Sequence, residues 1–193
     1  MTEDLPSDLP GSDAEATDGF ELPSAPDAFG RLWTPYRMAY VEKGQDQVKD
    51  KDSCPFCAAP SRTDEESLIV YRGEYCFVNL NLYPYNPGHM MVLPYRHVPN
   101  YTDITPEETV EMAQLAQKAM RVARHVSHPD GFNLGMNQGQ AGGAGIAAHL
   151  HQHVIPRWNG DANFFPIIAH TKAIPVVLGD TLRLMKQGWA EID

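Results

Sequence analysis

Short apolar runs separated by turn residues occupy the middle of the chain and predict β-strands. Runs at 67–71 and 75–80 flank a turn and are typical of a hairpin, and a third run spans 89–94 after a loop that contains two prolines. A fourth run at 132–137 predicts another strand. These elements are close together in sequence, so the strands are expected to be joined by short connections.

Helical patterns are found on both sides of the later strands. Thr105 is the expected N-cap of the first helix, with Pro106 at its first position and Glu108 completing a capping box. Small apolar residues then recur at spacings of three and four, which gives this helix one apolar face. A second helix is predicted from about Pro175 to Gln187. The polar stretch between Cys57 and Glu66 predicts a loop.

The alternation of His149, His151 and His153 with other residues predicts a fifth strand, with all three imidazoles on one face. Consecutive strands with short turns favour an antiparallel sheet. The expected fold class is therefore α+β, an antiparallel sheet with a long helix and a C-terminal helix packed on it.

The three histidines are too far apart to serve one metal ion together. In a strand, the Cα atoms of His149 and His153 lie about 13 Å apart, whereas a zinc–nitrogen bond is only about 2 Å long. The three rings are therefore expected to have different roles. The segment Gly139–Gly145 just before them has four glycines in seven residues, and a glycine-rich loop beside imidazoles suggests phosphate chemistry.

Charge and composition divide the chain into three parts. The formal net charge is −10, and residues 1–30 contain eight acidic residues and neither Lys nor Arg, which leaves about −2 for the rest. Residues 1–27 are predicted to be a disordered acidic tail and 28–53 an arm and linker, followed by one domain at 54–193. Arg31–Tyr40 is rich in aromatic residues and arginine, which suits either docking to a partner subunit or covering the chain's own core.

Several classes of function are disfavoured by the same composition. There is no basic patch for nucleic acid, no apolar run long enough for a membrane span and no signal-peptide pattern at the N-terminus. Three cysteines do not form a disulfide framework. A cytoplasmic protein is expected.

The motif His149-Leu-His151-Gln-His153-Val-Ile is similar to the signature of the histidine triad (HIT) superfamily. The resemblance covers about residues 54–158. The segments 31–37, 81–89 and 156–164 further resemble the actinobacterial diadenosine tetraphosphate phosphorylase branch. The resemblance implies a HIT-like sheet and a homodimer, and Arg31–Tyr40 is a candidate segment for enlarging the assembly.

The resemblance implies that His151 attacks the α-phosphorus of a nucleotide and forms a nucleotidyl-histidine intermediate. A neutral imidazole is a good nucleophile near pH 7, and in this family its other nitrogen donates to a backbone carbonyl within the motif. His153 is placed to donate a hydrogen bond to a phosphate oxygen. His89 is expected to support the triad from behind, or to be simply a buried histidine with its hydrogen bonds satisfied.

Further residues are candidates for binding the nucleotide. The resemblance assigns Asn81 to the ribose hydroxyls, and Asn137 is a polar candidate for the phosphate or the leaving group. The remaining candidates are backbone N–H groups around the phosphates and apolar side chains around the base: Gly142, Gly143 and Gly145, and Leu80, Leu82 and Tyr83. The less favoured alternatives are a plain connector for the glycines and core packing for the apolar residues.

The Cys54-x-x-Cys57 motif is a weak metal signal by itself. Together with His97 and His149, it resembles the zinc site of some histidine-triad proteins, a closed tetrahedral structural site. The alternative is a pair of reduced cysteines without a metal. Cys76 lies within a predicted strand and is expected in the core.

The expected function is cleavage of dinucleoside polyphosphates such as diadenosine tetraphosphate, with inorganic phosphate or water as the acceptor. The phosphorylase branch usually has a serine where this chain has Gly145, and an acidic residue where it has Ala148. Hydrolysis of dinucleotides or nucleoside phosphoramidates is therefore kept as the alternative. A non-catalytic, zinc-stabilised nucleotide-binding module is the contrasting class.

Overall fold

A computed structural model of the chain describes residues 50–161 and 176–192. The predicted tail at 1–27, the segment Arg31–Tyr40 and most of the linker lie outside these residues. The elements in chain order are α1 (Pro55–Ala58), a 3₁₀ turn (Ala59–Ser61), α2 (Asp64–Ser67), β1 (Ile69–Arg72), β2 (Cys76–Leu80), β3 (Met90–Pro94), a 3₁₀ turn (Tyr101–Asp103), α3 (Pro106–Ser127), β4 (Gly131–Met136), β5 (Gln152–Arg157) and α4 (Leu178–Glu191).

The five strands form one antiparallel sheet in the order β1-β2-β3-β5-β4. The predicted α+β class is confirmed: a long helix and a C-terminal helix pack on an antiparallel sheet. Strand β5 comes last in the chain and inserts between β3 and β4. The triad segment therefore lies in the interior of the sheet and not at its edge.

The two faces of the sheet are covered differently. We call the face that contains Val78, Val92 and Val154 the helix-covered face, because it packs with the apolar side of α3 and with α4 in one core cluster. The face that contains Met91 and His153 is called the site face, since these two residues stand opposite each other in the β3–β5 ladder. Successive side chains of a strand point to opposite faces, so the two sets do not mix.

Helix α3 begins as its sequence predicts. The Thr105 side chain accepts from the Glu108 N–H group, and the Glu108 carboxylate accepts from the Thr105 N–H group at 2.7 Å. His128 ends the helix with a left-handed backbone, φ 48°. None of the helices in the described part of the chain combines the length and apolar character that crossing a bilayer requires.

Glu111 of α3 holds the turn between β1 and β2. Its carboxylate accepts from the backbone N–H groups of Glu74, Tyr75 and Cys76 at 2.8, 2.6 and 2.6 Å. The turn itself provides no acceptors for these amides. One side chain on a helix therefore satisfies three donors of a hairpin.

Three predictions of local structure were wrong. The polar stretch after Cys57 is not a loop but contains α2, which begins with a capping box between Thr63 and Glu66. The last helix runs from Leu178 to Glu191, later at both ends than predicted. The triad strand starts only at Gln152.

His149 and His151 precede β5 because their backbone groups bond outside the ladder. The Leu150 N–H group donates to Val98 O at 2.7 Å, and the His149 carbonyl accepts from the ring of His151. A local hydrogen bond from a side chain to the backbone competes with the strand ladder. The period of two in the sequence is real, but the hydrogen bonds of this segment are not those of a strand.

Candidate active site

The four residues proposed as metal ligands come together. Cys54 is the N-cap of α1 and Cys57 lies within it, His97 follows β3, and His149 precedes β5. Their donor atoms all lie within 4.8 Å of one another. The sulfur–nitrogen distances are 3.2–3.5 Å, close to the ~3.5 Å edge of a tetrahedron with zinc-like bond lengths. The cluster could hold a metal ion.

The Cys57 thiol would have to lose its proton on binding a cation. Burial and the neighbouring Cys54 raise the pKa of the Cys57 thiol well above its ordinary value. The protein by itself therefore does not stabilise a thiolate there. A bound cation reverses this effect and makes the thiolate the stable form.

Both ring nitrogens of His149 and its backbone carbonyl have polar neighbours. Its Nε2–H group donates to Pro94 O at 2.9 Å, since a carbonyl can only accept. The Nδ1 atom is then unprotonated and faces the two cysteine sulfurs. Its backbone carbonyl accepts from His151 Nδ1 at 2.8 Å. The residue thus links the candidate metal site directly to the middle histidine of the triad.

The same carbonyl fixes the tautomer of His151. Because Nδ1 must carry the proton that it donates to His149 O, the Nε2 atom of the neutral ring has a free lone pair. Burial lowers the pKa of His151 below its ordinary value, which keeps the ring neutral. The ring lies between Phe56 and His153, at centroid distances of 5.3 and 5.0 Å.

A second chain of hydrogen bonds fixes the tautomer of His153. The Tyr85 N–H group donates to His89 Nδ1 at 3.1 Å, so the proton of His89 is on Nε2, which donates to His153 Nδ1 at 2.9 Å. His153 must then carry its proton on Nε2. That N–H group is buried and has no hydrogen-bond partner in the described part of the structure. Burial, followed by the neighbouring His151, lowers the pKa of His153 to about 4.

These bonds give the triad one acceptor nitrogen and one donor nitrogen. His151 presents a lone pair at Nε2, and His153, two residues later, presents an N–H group at Nε2. A lone pair can attack phosphorus, and a donor can hold a phosphate oxygen. His89, which was expected to support the triad, contacts His153 directly.

Asn81 is engaged within its own loop. Its Oδ1 accepts from the Tyr83 N–H group at 2.9 Å, and its Nδ2 lies 3.4 Å from His89 Nδ1. Of the apolar residues predicted around the base, Leu80 is buried in the core of the helix-covered face. Leu82 and Tyr83 are 58% and 80% exposed. The structure does not bring these three side chains together.

The glycine loop is tightly turned. Gly143 has φ +82° and donates its N–H group to Gln140 O at 2.9 Å, so this amide, which was predicted to contact phosphate, already has a partner. A side chain at Gly142 would overlap Gln138 O. Gly145 lies in the same irregular loop. Asn137 is half-buried and directly follows Met136, whose register partner is Gln152, so it lies at the end of β4 nearest His151.

Two features of the site region were missed by sequence reasoning. Asp161 accepts from Arg157 in a bidentate pair at 2.6 and 2.8 Å and from Asn86 Nδ2 at 2.6 Å, which ties the loop before β3 to the end of β5. Phe56, inside the CxxC motif, packs against the rings of both His149 and His151. The Asn86–Asp161 bond and the Phe56 contacts have no local sequence signal, because each joins distant segments.

The comparison with known families agrees with this geometry. The family model described as HIT domain matches residues 62–160, just over half of the chain. This chain belongs to the HIT family. The resemblance inferred from the triad motif is confirmed.

Relatives of this HIT protein include enzymes. It is 49% identical over 168 residues to a Mycobacterium tuberculosis protein named AP-4-A phosphorylase, with 85% of this chain and 86% of the relative covered. It is 34% identical over 95 residues to the asymmetrical bis(5'-nucleosyl)-tetraphosphatase of Schizosaccharomyces pombe, covering 49% of this chain and 52% of that protein.

A similar solved structure is that of a zinc-bound histidine triad family protein from Mycobacterium smegmatis. The TM-score is 0.59 at 29% identity, and the match covers 74% of this chain and 96% of the other. The HIT fold of the described residues is thus shared with an experimentally determined protein.

Proposed function

We propose that this protein cleaves dinucleoside polyphosphates such as diadenosine tetraphosphate by nucleotidyl transfer through His151. The observation that carries the proposal is the hydrogen bond from His151 Nδ1 to His149 O, which leaves Nε2 with a free lone pair. The names of the M. tuberculosis and S. pombe relatives support this class of substrate.

In the first step, the His151 Nε2 lone pair forms a bond to the α-phosphorus while the bond from that phosphorus to the bridging oxygen breaks. With diadenosine tetraphosphate, ATP leaves and AMP remains bonded to His151. The ring becomes cationic at this moment. The His149 carbonyl, already bonded to Nδ1–H, stabilises that charge.

In the second step, an oxygen of the acceptor attacks the same phosphorus and the phosphorus–nitrogen bond breaks. Inorganic phosphate as acceptor yields ADP, and water yields AMP. We propose phosphate, on the basis of the 49% identity to a protein named as a phosphorylase. Gly145 and Ala148, which differ from the phosphorylase pattern, are the reason to keep water, and with it dinucleotides or nucleoside phosphoramidates as substrates, as the alternative.

His153 and the residues behind it orient this chemistry. The Nε2–H group of His153 would donate to a phosphate oxygen, and the chain Tyr85–His89–His153 holds the required tautomer. Asn137 and the backbone of Gly142 and Gly145 are proposed to contact the phosphates. For Asn81 we propose a ribose contact that would compete with its bond to the Tyr83 amide.

Cys54, Cys57, His97 and His149 would hold a structural zinc ion, which supplies a fixed cross-link between α1 and the segment before β5. The two-thiolate, two-imidazole donor set and its spacing fit this ion. A homodimer or higher homo-oligomer and a cytoplasmic location stay predictions.

The test is incubation with diadenosine tetraphosphate, with and without inorganic phosphate, followed by product identification. We expect ADP and ATP when phosphate is present. In His151→Ala, turnover should fall by at least about 10⁴-fold while nucleotide still binds. His125→Ala is the matched control, because His125 is exposed and bonded only to Glu191.

Two results would count against the proposal. Unchanged turnover in His151→Ala would refute the assignment of His151 as the nucleophile. Nucleotide binding without cleavage by the wild type would favour a non-catalytic binding module. AMP and ATP in the presence of phosphate would assign water as the acceptor.

A further inference from the structure

One cross-strand row of the site face contains both His153 and a buried asparagine. Asn79 of β2 stands opposite Met91 of β3, which stands opposite His153 of β5. Residues directly opposite in adjacent strands share a face. Asn79 therefore lies on the site face, two strands away from the triad, in a position that the nucleotidyl-transfer chemistry does not use.

Asn79 is an unusual residue for a strand interior. Its side chain is only 6% exposed, and its Oδ1 atom is sealed from solvent without a hydrogen-bond partner among the described residues. Leaving such an acceptor unsatisfied is costly, and a native protein rarely does so without a reason. His153 Nε2 is a second buried polar atom of this kind, so the two occur in the same row.

The surroundings of Asn79 are apolar. Ile69 pairs with it from β1, Met91 from β3, and Phe77 lies two residues earlier on the same face. An apolar floor with one amide is the usual composition of a small-molecule site, in which a few polar groups fix the orientation. The geometry therefore suggests a ligand that is flat and largely apolar, with a donor at one edge.

The spacing suits a nucleotide. Adjacent strands are about 4.8 Å apart, so Asn79 and His153 are separated by roughly 10 Å along the row. This is comparable with the span from the α-phosphorus of an adenine nucleotide to the far edge of its base. A phosphorus at the triad would place that edge near Asn79, with Met91 beneath the middle of the nucleotide.

We propose that Asn79 selects the base of the substrate, by accepting a hydrogen bond from the exocyclic amine of adenine at Oδ1. In the orientation shown, the unpartnered atom of the Asn79 amide is the acceptor Oδ1, which suits the N–H donor that adenine presents at position 6, where guanine presents a carbonyl. The amide nitrogen can donate to the adjacent ring nitrogen at the same time, a pairing that asparagine commonly makes with adenine. This inference rests on the proposed function and adds a base preference to it.

The test combines a variant with a substrate lacking the amine. Diadenosine tetraphosphate is compared with the analogue in which both bases are purine, which has hydrogen at position 6. Wild type should lose roughly 10- to 100-fold in kcat/KM on removal of the amine. Asn79→Leu should process the two substrates within about twofold of each other, at the low rate of wild type on the analogue.

Stability gives an independent measurement. Leucine removes the unsatisfied amide at similar volume, so Asn79→Leu should melt at the same temperature as wild type or higher. Asn133→Leu is the matched control: Asn133 is an exposed asparagine of the edge strand β4, and its Oδ1 accepts from Arg157 at 2.6 Å and not from a triad residue. It should retain the full preference for the amine.

Equal rates of wild type on the two substrates, a preference for diguanosine tetraphosphate, or an unchanged preference in Asn79→Leu would each overturn the proposal. If wild type cleaves no dinucleotide, the proposed function fails but the role of Asn79 is still tested by binding. Calorimetry should show that wild type binds AMP roughly 10- to 100-fold more tightly than purine riboside monophosphate, and that Asn79→Leu does not. Equal affinities of wild type for the two ligands would overturn the inference.

Discussion

The two faces of the central sheet are built from different kinds of residues. The helix-covered face packs Val78, Leu80, Val92 and Val154 in one apolar cluster. The site face buries His153 and Asn79 among its apolar residues, and both have a polar atom without a partner in the described structure. The same sheet thus presents an apolar cluster on one face and two buried polar side chains on the other.

The difference indicates where stability and chemistry are located. Each apolar side chain removed from water on the helix-covered face stabilises the fold. On the site face, unsatisfied polar atoms cost stability, a cost that the proposed ligand contacts would offset. We expect the stability of the site face to depend on the adjacent metal cross-link and on bound substrate. The helix-covered face should depend on them far less.

The largest effect is expected from the metal cluster. Chelation, or Cys57→Ser, should lower the free energy of unfolding by about 4 kcal/mol, the value for a ligand at a thousand times its Kd, and the melting temperature by roughly 8–16 °C. Metal analysis and thermal unfolding measure both. Cys76→Ala is the control, because Cys76 is buried in the helix-covered face and its variant should keep the response to chelator.

An unchanged melting temperature after chelation would mean that the cluster holds no structural ion. Loss of catalysis without loss of stability would instead favour a catalytic metal.

Leu80→Ala tests whether Leu80 packs in the core or contacts the base of the nucleotide. Leu80 is fully buried with Val78 and Met90 in the helix-covered cluster. The variant should lose about 3 kcal/mol of stability in denaturant unfolding, while KM for diadenosine tetraphosphate stays within about twofold. A large rise in KM with little loss of stability would return Leu80 to the nucleotide site.

The smallest effect is a dependence of stability on pH. The pKa of His153 is about 4 in the folded state, below the ordinary value of 6.5, because burial disfavours the charged ring. Between these values the unfolded chain binds a proton that the folded chain does not. Stability should therefore fall as the pH falls from about 6.5 to about 4, by less than about 1.4 kcal/mol per pH unit for this residue.

The pH dependence is measured by urea unfolding across this range. His153→Gln should have a shallower slope than wild type. A slope that is identical in the two proteins would show that His153 does not titrate in this window.

Local patterns predicted most elements of the fold. The Thr105–Glu108 capping box, the hairpin at β1 and β2 and the antiparallel sheet follow from spacing over a few residues. The Thr63–Glu66 box that starts α2 could have been found by the same rule. His149 and His151 were placed in a strand because alternation does not reveal that a side chain, and not another strand, takes the His149 carbonyl.

The candidate site divides in the same way. The set of Cys54, Cys57, His97 and His149 was predicted from family resemblance and comes together in the structure. Asn79 and the Arg157–Asp161 pair were not predicted, since their significance depends on contacts between distant segments. An asparagine in a strand has no sequence signal that tells whether its amide is satisfied.

The three hydrogen bonds between Glu111 and the β1–β2 turn have a consequence for folding during synthesis. The turn leaves the ribosome more than thirty residues before the carboxylate that binds its three amides. Until α3 has been synthesised and docks, those amides are bonded to water, so the nascent hairpin is an open one. Its closure and the arrival of the helix should be a single cooperative event in cotranslational folding.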